Sequence, residues 1–256
     1  MPNAWDVGSA RLFASLGFQA VATTSSAFAA TQGRLDGGAT RDETLSHAEV
    51  MVDATALPVS ADLEHGFADD PAGVAETIAR AVATGLAGGS IEDSTGDPGL
   101  PIFDFDLAVA RVEAAVRAAH DGSSGIHFVL TARAENKLHG RGDLDDTVAR
   151  LRAFGAAGAD VVFAPGWIEL DDVKQIVDSV DVPVNVLVRP GGPTVAELAS
   201  VGVARISTGG ALGFLALGAA ADAARELLER GTVGFLVPAA AGAQQVRAAF
   251  AATEER

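Results

Sequence analysis

The chain has 256 residues, 34 acidic against 18 basic side chains for a formal net charge of −16, 48% apolar residues and no cysteine. Such a balance repels nucleic acid and anionic membranes, so no nucleic-acid or membrane partner is expected. No stretch is long and apolar enough to span a bilayer. Disulfides, thiolate metal sites and a cysteine nucleophile are excluded. Met1–Asp6 carries neither a basic nor an apolar leader, so no signal peptide is expected and the expected location is the cytoplasm. An anionic substrate would need local positive charge here, from a metal or a placed arginine.

In chain order, short β-like runs are predicted at Pro2–Ala4 (truncated or very short), Ala20–Thr24, Val59–Asp62, Gly89–Glu92, His127–Ala132, Val161–Ala164, Val184–Val188 and Ala204–Ser207. Amphipathic helical patterns lie between them, among them Asp69–Thr84, Asp106–Ala119, Leu144–Ala157, Ile168–Val177 and Val195–Ser200. Glycines just past the helices supply left-handed ends that feed the next strand. Eight β-then-α units without a long linker predict an α/β protein of the (β/α)8 TIM-barrel type over residues 1–233. The Ala-rich tail, residues 234–256, is expected to be helical from about Ala239 and to belong to the same domain. Its apolar face, with Phe235, Leu236, Val246 and Phe250, packs either on its own barrel or on a neighbouring subunit. A doubly wound sheet fits less well, because the one Gly-rich strand-to-helix turn, Ser207–Gly213, lacks dinucleotide-binding spacing and comes last.

Two predicted strands end in acids: Asp62 and Glu64 follow one, Glu92 and Asp93 the other. A buried strand that finishes in carboxylates is costly unless a cation shares the site. In a parallel α/β fold that rim is also where ligands bind. Alternation along a strand lets Asp62 and Glu64 share a face, and a neighbouring strand brings Glu92 within reach. Oxygen donors without His or Cys suit Mg²⁺ or Mn²⁺. Helix caps or surface charges are the plainer alternative for all four acids. Asp36, in the loop after the second strand, reads alone as a turn residue.

Arg133 ends the most apolar strand and must be paired, with Glu135 or a metal-side acid, or face the site mouth, where it could hold a carboxylate or a developing oxyanion. His65 beside the acids and His139 in a nearby loop are candidate acid–base groups. Ser25 and Ser26 have no evident His partner, against a hydrolase triad. Lys137 falls in a loop rather than at a strand end, against a Schiff-base lysine.

Taken together, Asn3-Ala4-Trp5-Asp6, Gly17–Ser25, Ser60–Phe67, Ile91-Glu92-Asp93 and Ala132-Arg133-Ala134-Glu135 resemble the isocitrate lyase/phosphoenolpyruvate mutase superfamily. The resemblance covers almost the whole chain. It implies a (β/α)8 barrel, often a homotetramer whose last helix packs on a neighbouring subunit, and Mg²⁺ beneath an α-keto acid or its enolate. By position it implies Asp62 as the main metal carboxylate with Glu64, Glu92 and Asp36 around it. Thr24 and Ser25 would bind the substrate carboxylate, Asn185 would join them as a substrate-binding residue, and Arg133 would hold the keto oxygen or carboxylate. The loop after Glu92 reads Asp93-Ser94-Thr95-Gly96-Asp97-Pro98-Gly99-Leu100-Pro101. It lacks the Lys-Lys-Cys-Gly-His run of the lyases and the Lys and Asn of the mutases and phosphonopyruvate hydrolases. The expected activity is a Mg²⁺-dependent carbon–carbon lyase or decarboxylase acting on a small 2-oxo or 2-hydroxy (di)carboxylic acid through an enolate. The alternatives are a C–P bond enzyme and a non-catalytic keto-acid-binding protein.

Overall fold

The computed structural model describes residues 1–122, 125 and 127–254. Seven strands stand in sequential order: β1 (Val21–Ala22), β2 (Val59–Asp62), β3 (Gly88–Glu92), β4 (Val129–Arg133), β5 (Val161–Phe163), β6 (Val184–Leu187) and β7 (Arg205–Ser207). Every pairing is parallel. Around them run α1 (Val7–Ser15), α2 (Ser25–Thr31), α3 (Arg41–Ala54), α4 (Pro71–Ala83), α5 (Phe105–Ala119), α6 (Leu144–Ala156), α7 (Leu170–Ser179), α8 (Val195–Ser200), α9 (Ala211–Arg225) and α10 (Leu236–Glu254). This is a TIM-type barrel, and none of its described helices is long and apolar enough to cross a membrane.

The expected first strand, Pro2–Ala4, is reduced to one bridge, Asn3 to Ala22. Beside the Met1 amine, which donates to the Ile206 carbonyl at 2.7 Å, the Asn3 side chain does much of the remaining closure. Its Oδ1 accepts from the Thr208 and Gly209 amides at 2.9 and 3.0 Å, and its Nδ2 donates to the Thr23 carbonyl at 2.7 Å. One buried asparagine thereby ties β7 to β1 where backbone pairing is too short to do so.

Local chemistry explains where the helices begin. Asp70 accepts from the Ala72 and Gly73 amides and Pro71 opens α4, so that helix starts two residues after the periodicity suggests. Thr40 with Glu43 and Thr194 with Glu197 form capping boxes on α3 and α8. Between helices and sheet the core is contiguous, from Val21, Met51 and Ile78 to Leu130, Leu151 and Val162. Close strand approach needs Gly88, since a Cβ there would lie 2.5 Å from the Val129 carbonyl oxygen.

The tail helix starts at Leu236, earlier than Ala239. It lies along α1, where Ala249 is buried and the Phe250 ring faces Gly8. This end of the chain carries open apolar residues: Leu215 on α9 is 69% exposed, Leu228 on the π-helical turn Glu226–Arg230 that follows it 86% and Val237 on α10 78%.

Candidate active site

A cavity of about 210 Å³ opens inside the barrel, lined from every side of the sheet by residues that include Thr24, Ser25, Asp36, Asp62, Thr131, Arg133, Asn185 and Arg205. It is smaller than the ~300–1,000 Å³ of sites for drug-sized ligands, which fits a small acid.

Arg133 organises one wall. Strand register sets it beside Glu92, and its Nη1 lies 3.0 Å from Asp62 Oδ1, its Nη2 3.2 Å from Glu92 Oε2 and its Nε 2.9 Å from Glu135 Oε1. The guanidinium also sits over the Phe163 ring at 5.1 Å. Three acids hold Arg133 firmly protonated against the cost of burial. Burial in turn pushes the Glu92 and Glu135 carboxyls up, with Arg133 opposing the rise. Asp62, Glu92 and Glu135 thus surround one cation, and Glu135 is a partner of Arg133.

Asp62 is fixed from the β1–α2 junction as well. Its Oδ2 accepts from the Ser25 amide at 3.2 Å and the Ser25 hydroxyl at 2.9 Å, and its own amide donates to Thr23 Oγ1 at 2.9 Å. Thr24 is buried, with its hydroxyl 3.1 Å from Ser26 Oγ. Asp36 sits exposed at the cavity rim.

Glu64 adopts φ 49°, the left-handed region that non-glycine residues seldom occupy. Its Oε1 is buried with no hydrogen-bond partner. Burial, then Asp62 and Asp36, push its carboxyl up to about 7. An unpartnered, crowded carboxylate oxygen is what a cation would relieve. The donor set of Asp62, Glu64, Glu92 and Asp36 is all oxygen and suits a hard divalent ion. In donor chemistry the residues therefore fit the implied Mg²⁺ or Mn²⁺. Of the four, only Asp62 and Asp36 line the cavity, and no three of them bring oxygens within 4.8 Å of one another.

Asp93 has a different job. Its Oδ1 accepts from the Glu135 amide at 2.8 Å and its Oδ2 pairs with Arg150 Nη1 at 3.1 Å. It braces the β3 end to α6, outside the cavity. His65 and His139 also fall outside the cavity lining. His65 borders a separate depression with Thr40, Arg41, Asp42 and Phe67, and burial, reinforced by Arg111, pulls its pKa down. The left-handed turn at Glu64 separates it from the acids it follows. His139 is exposed and reaches Ser94 Oγ at 3.3 Å, linking the loops after β3 and β4, while its neighbour Leu138 lines the cavity. Among the described residues, no His, Lys or Cys lines this cavity.

Two cavity residues escape the sequence reading. Thr131 is fully buried on β4, and Arg205 lies at the start of β7. A lone arginine in a short apolar strand was the available signal, the same one that marks Arg133. Far along the chain from the acids, His120, His127 and Asp160 form the described group whose ligand atoms converge within 4.8 Å of one another. Both histidines are hydrogen-bonded to Asp160, at 3.0 and 2.8 Å, and none of the three lines the cavity.

The model of the phosphoenolpyruvate phosphomutase family matches residues 1–228. A crystal structure from Burkholderia cenocepacia J2315, described provisionally as a lyase/mutase, is 50% identical, covers 92% of this chain and 84% of its own, and superposes with a TM-score of 0.88. That of 2,3-dimethylmalate lyase is 31% identical over 91% of this chain and 83% of its own, with a TM-score of 0.81. The oxaloacetate decarboxylase of Paraburkholderia xenovorans LB400 is 34% identical over 208 residues, 77% of this chain and 66% of its own length. With the acids of β2 and β3 and the arginine of β4 gathered at the strand ends, the chain belongs to the isocitrate lyase/phosphoenolpyruvate mutase superfamily of lyases and mutases.

Proposed function

We propose that the protein is a Mg²⁺-dependent decarboxylase or carbon–carbon lyase acting on a small 2-oxo or 2-hydroxy dicarboxylic acid through an enolate. The observation that carries this reading is the wall formed by Asp62, Glu92, Glu135 and Arg133, with the unpartnered Glu64 oxygen beside it. Asp62, Glu64, Glu92 and Asp36 would hold Mg²⁺ or Mn²⁺. When bound, such an ion supplies Lewis-acid stabilisation of negative charge on an oxygen. Arg133 adds a fixed positive charge on the same wall, and the hydroxyls of Thr24 and Ser25 with the Asn185 amide offer polar contacts to the acid. Stabilisation that grows as charge develops is what lowers a barrier.

Decarboxylation suits the cavity better than cleavage of a 2-hydroxy acid. Loss of CO₂ from a 3-carboxy-2-oxo acid leaves its electron pair on the enolate and needs no proton abstracted first, and water can return the proton afterwards. Cleavage of a 2-hydroxy acid needs a base at the hydroxyl. Since His65 and His139 do not line the cavity, that role would fall to a carboxylate already engaged by Arg133 or a metal, or to Asp36 at the rim. The similarity to an oxaloacetate decarboxylase points the same way.

The test is ¹³C NMR of oxaloacetate and of substituted malates incubated with the protein and Mg²⁺ or EDTA. Mg²⁺-dependent release of CO₂ or cleavage products, lost in Asp62→Asn, supports the proposal. Tight binding without product favours a keto-acid-binding protein instead. Phosphate release from phosphonopyruvate would favour C–P chemistry, the reading for which the family description speaks. We assign the protein to the cytoplasm and, from the open apolar faces of α9 and α10, to a homotetramer.

A further inference from the structure

Two arginines line the cavity, and they are in opposite electrostatic states. Arg133 is met by three carboxylates. Arg205 is met by none: among the described residues no acid lies within ion-pair distance of it. Its Nε donates to Asn185 Oδ1 at 3.0 Å and its Nη2 to Thr131 Oγ1 at 2.7 Å, both neutral acceptors. A guanidinium carries five N–H donors, so three have no protein partner among the described residues.

The placement is deliberate in physical terms. Thr131 belongs to β4 and Arg205 to β7, so the side chain reaches across the barrel interior rather than out to solvent. Asn185, which orients Nε, is itself held by donating to Ser207 Oγ at 3.0 Å. Both Asn185 and Thr131 are at most 2% exposed, so the guanidinium is aimed by a rigid, buried frame. Burial without an answering acid pulls the Arg205 pKa down to about 10, which still leaves it charged at neutral pH. A buried, unanswered charge is expensive, and an anion entering the cavity would repay that expense. In a chain of net charge −16, this is an exceptional spot.

We propose that Arg205, oriented by Asn185 and Thr131, is a carboxylate-binding subsite that takes one acid group of a dicarboxylate and makes the protein selective for diacids over monoacids. The inference rests on the reading above that the cavity binds a small acid. It adds a selectivity residue that is separate from the acid-saturated Arg133. A charge-assisted, two-pronged contact of this kind discriminates strongly against an uncharged isostere.

The experiment compares binding of malonate and succinate with their half-amides, which keep shape and lose one charge, by calorimetry on the Mg²⁺-loaded protein. Wild type is expected to bind each diacid about tenfold or more tighter than its half-amide. Arg205→Met is expected to erase that ratio while leaving half-amide affinity within about twofold of wild type, and Arg205→Lys to keep part of it. A purely structural role would lower the melting temperature and leave the ratio intact, which would overturn the proposal. If Arg205→Met does not fold, Arg205→Lys and Arg205→Gln carry the same comparison. Equal binding of diacid and half-amide by wild type overturns this inference alone. Binding of neither acid type overturns the small-acid reading itself.

Discussion

Arg133 Nη1 and Asp62 Oδ1 stand 3.0 Å apart and join β4 to β2 across the intervening β3. Glu92 and Glu135 share the same guanidinium. Removing it leaves three partly or fully buried carboxylates without their cation. Breaking a buried pair in this way costs about 3–5 kcal/mol. Arg133→Met is therefore expected to lower the melting temperature by about 10 °C in EDTA, and added Mg²⁺ to recover part of the loss by restoring positive charge. Thermal denaturation by circular dichroism with and without Mg²⁺ checks both.

Glu64 gives the pH dependence. Its carboxyl stands at about 7 in the folded chain against an ordinary 4.5, through burial first and the Asp62 and Asp36 charges next. The folded state thus binds this proton more tightly than the unfolded state. Between these two values the folding stability contributed by this group falls as pH rises. Glu64→Gln removes the charge, so it should raise the melting temperature at pH 8 by about 2–4 °C and change little at pH 5. Mg²⁺ should stabilise wild type at pH 8 more than it stabilises Glu64→Gln. Melting curves at the two pH values decide the matter.

How far the chain could be read without coordinates depended on what carried each signal. Hydropathy locates β2 to β7 because most of their residues are buried or half-buried, β4 and β5 on both sides. The acids and Arg133 at their ends stood out because charge ending an apolar run is costly. The first strand is legible only as truncated or very short, and Asn3 replaces most of its backbone pairing with side-chain hydrogen bonds that no periodicity encodes. His65 misled because nearness in sequence to Asp62 and Glu64 says nothing about a chain that turns through a left-handed residue between them. Asp93, adjacent to Glu92, faces Arg150 instead of the cavity, as alternation along β3 requires. Arg205 was overlooked although a lone arginine in a three-residue strand is the same signal that exposed Arg133.

The divergence of Asp93 and Asp62 makes a paired prediction. Asp93 is 3% exposed and anchors both the Glu135 amide and Arg150. Asp93→Ala strands the Arg150 charge and should cost about 3–5 kcal/mol of stability, while turnover per folded molecule stays near wild type. Asp62→Asn leaves Arg133 with two carboxylates, and should keep the fold but lose about a hundredfold or more in Mg²⁺-dependent turnover. Denaturant titration beside product NMR separates the two roles.

The helical segments from Ala211 onward carry the assembly prediction. Leu215, Leu228 and Val237 are between 69% and 86% exposed, and Phe214 and Leu217 beside them are about half exposed. Single exposed apolar residues need no explanation, but a run of them over consecutive elements at one end of the chain does. A second copy of the chain offers the same face, and a self-complementary contact of this kind closes into dimers or tetramers. A stripe of α10 near Ala249 and Phe250 packs against α1 of the same chain. Light scattering on the purified protein should give the mass of a tetramer. Leu215→Asp with Leu228→Asp should give smaller species, because each buried charge in an apolar contact costs more than the contact returns. A monomeric wild type would refute the assembly.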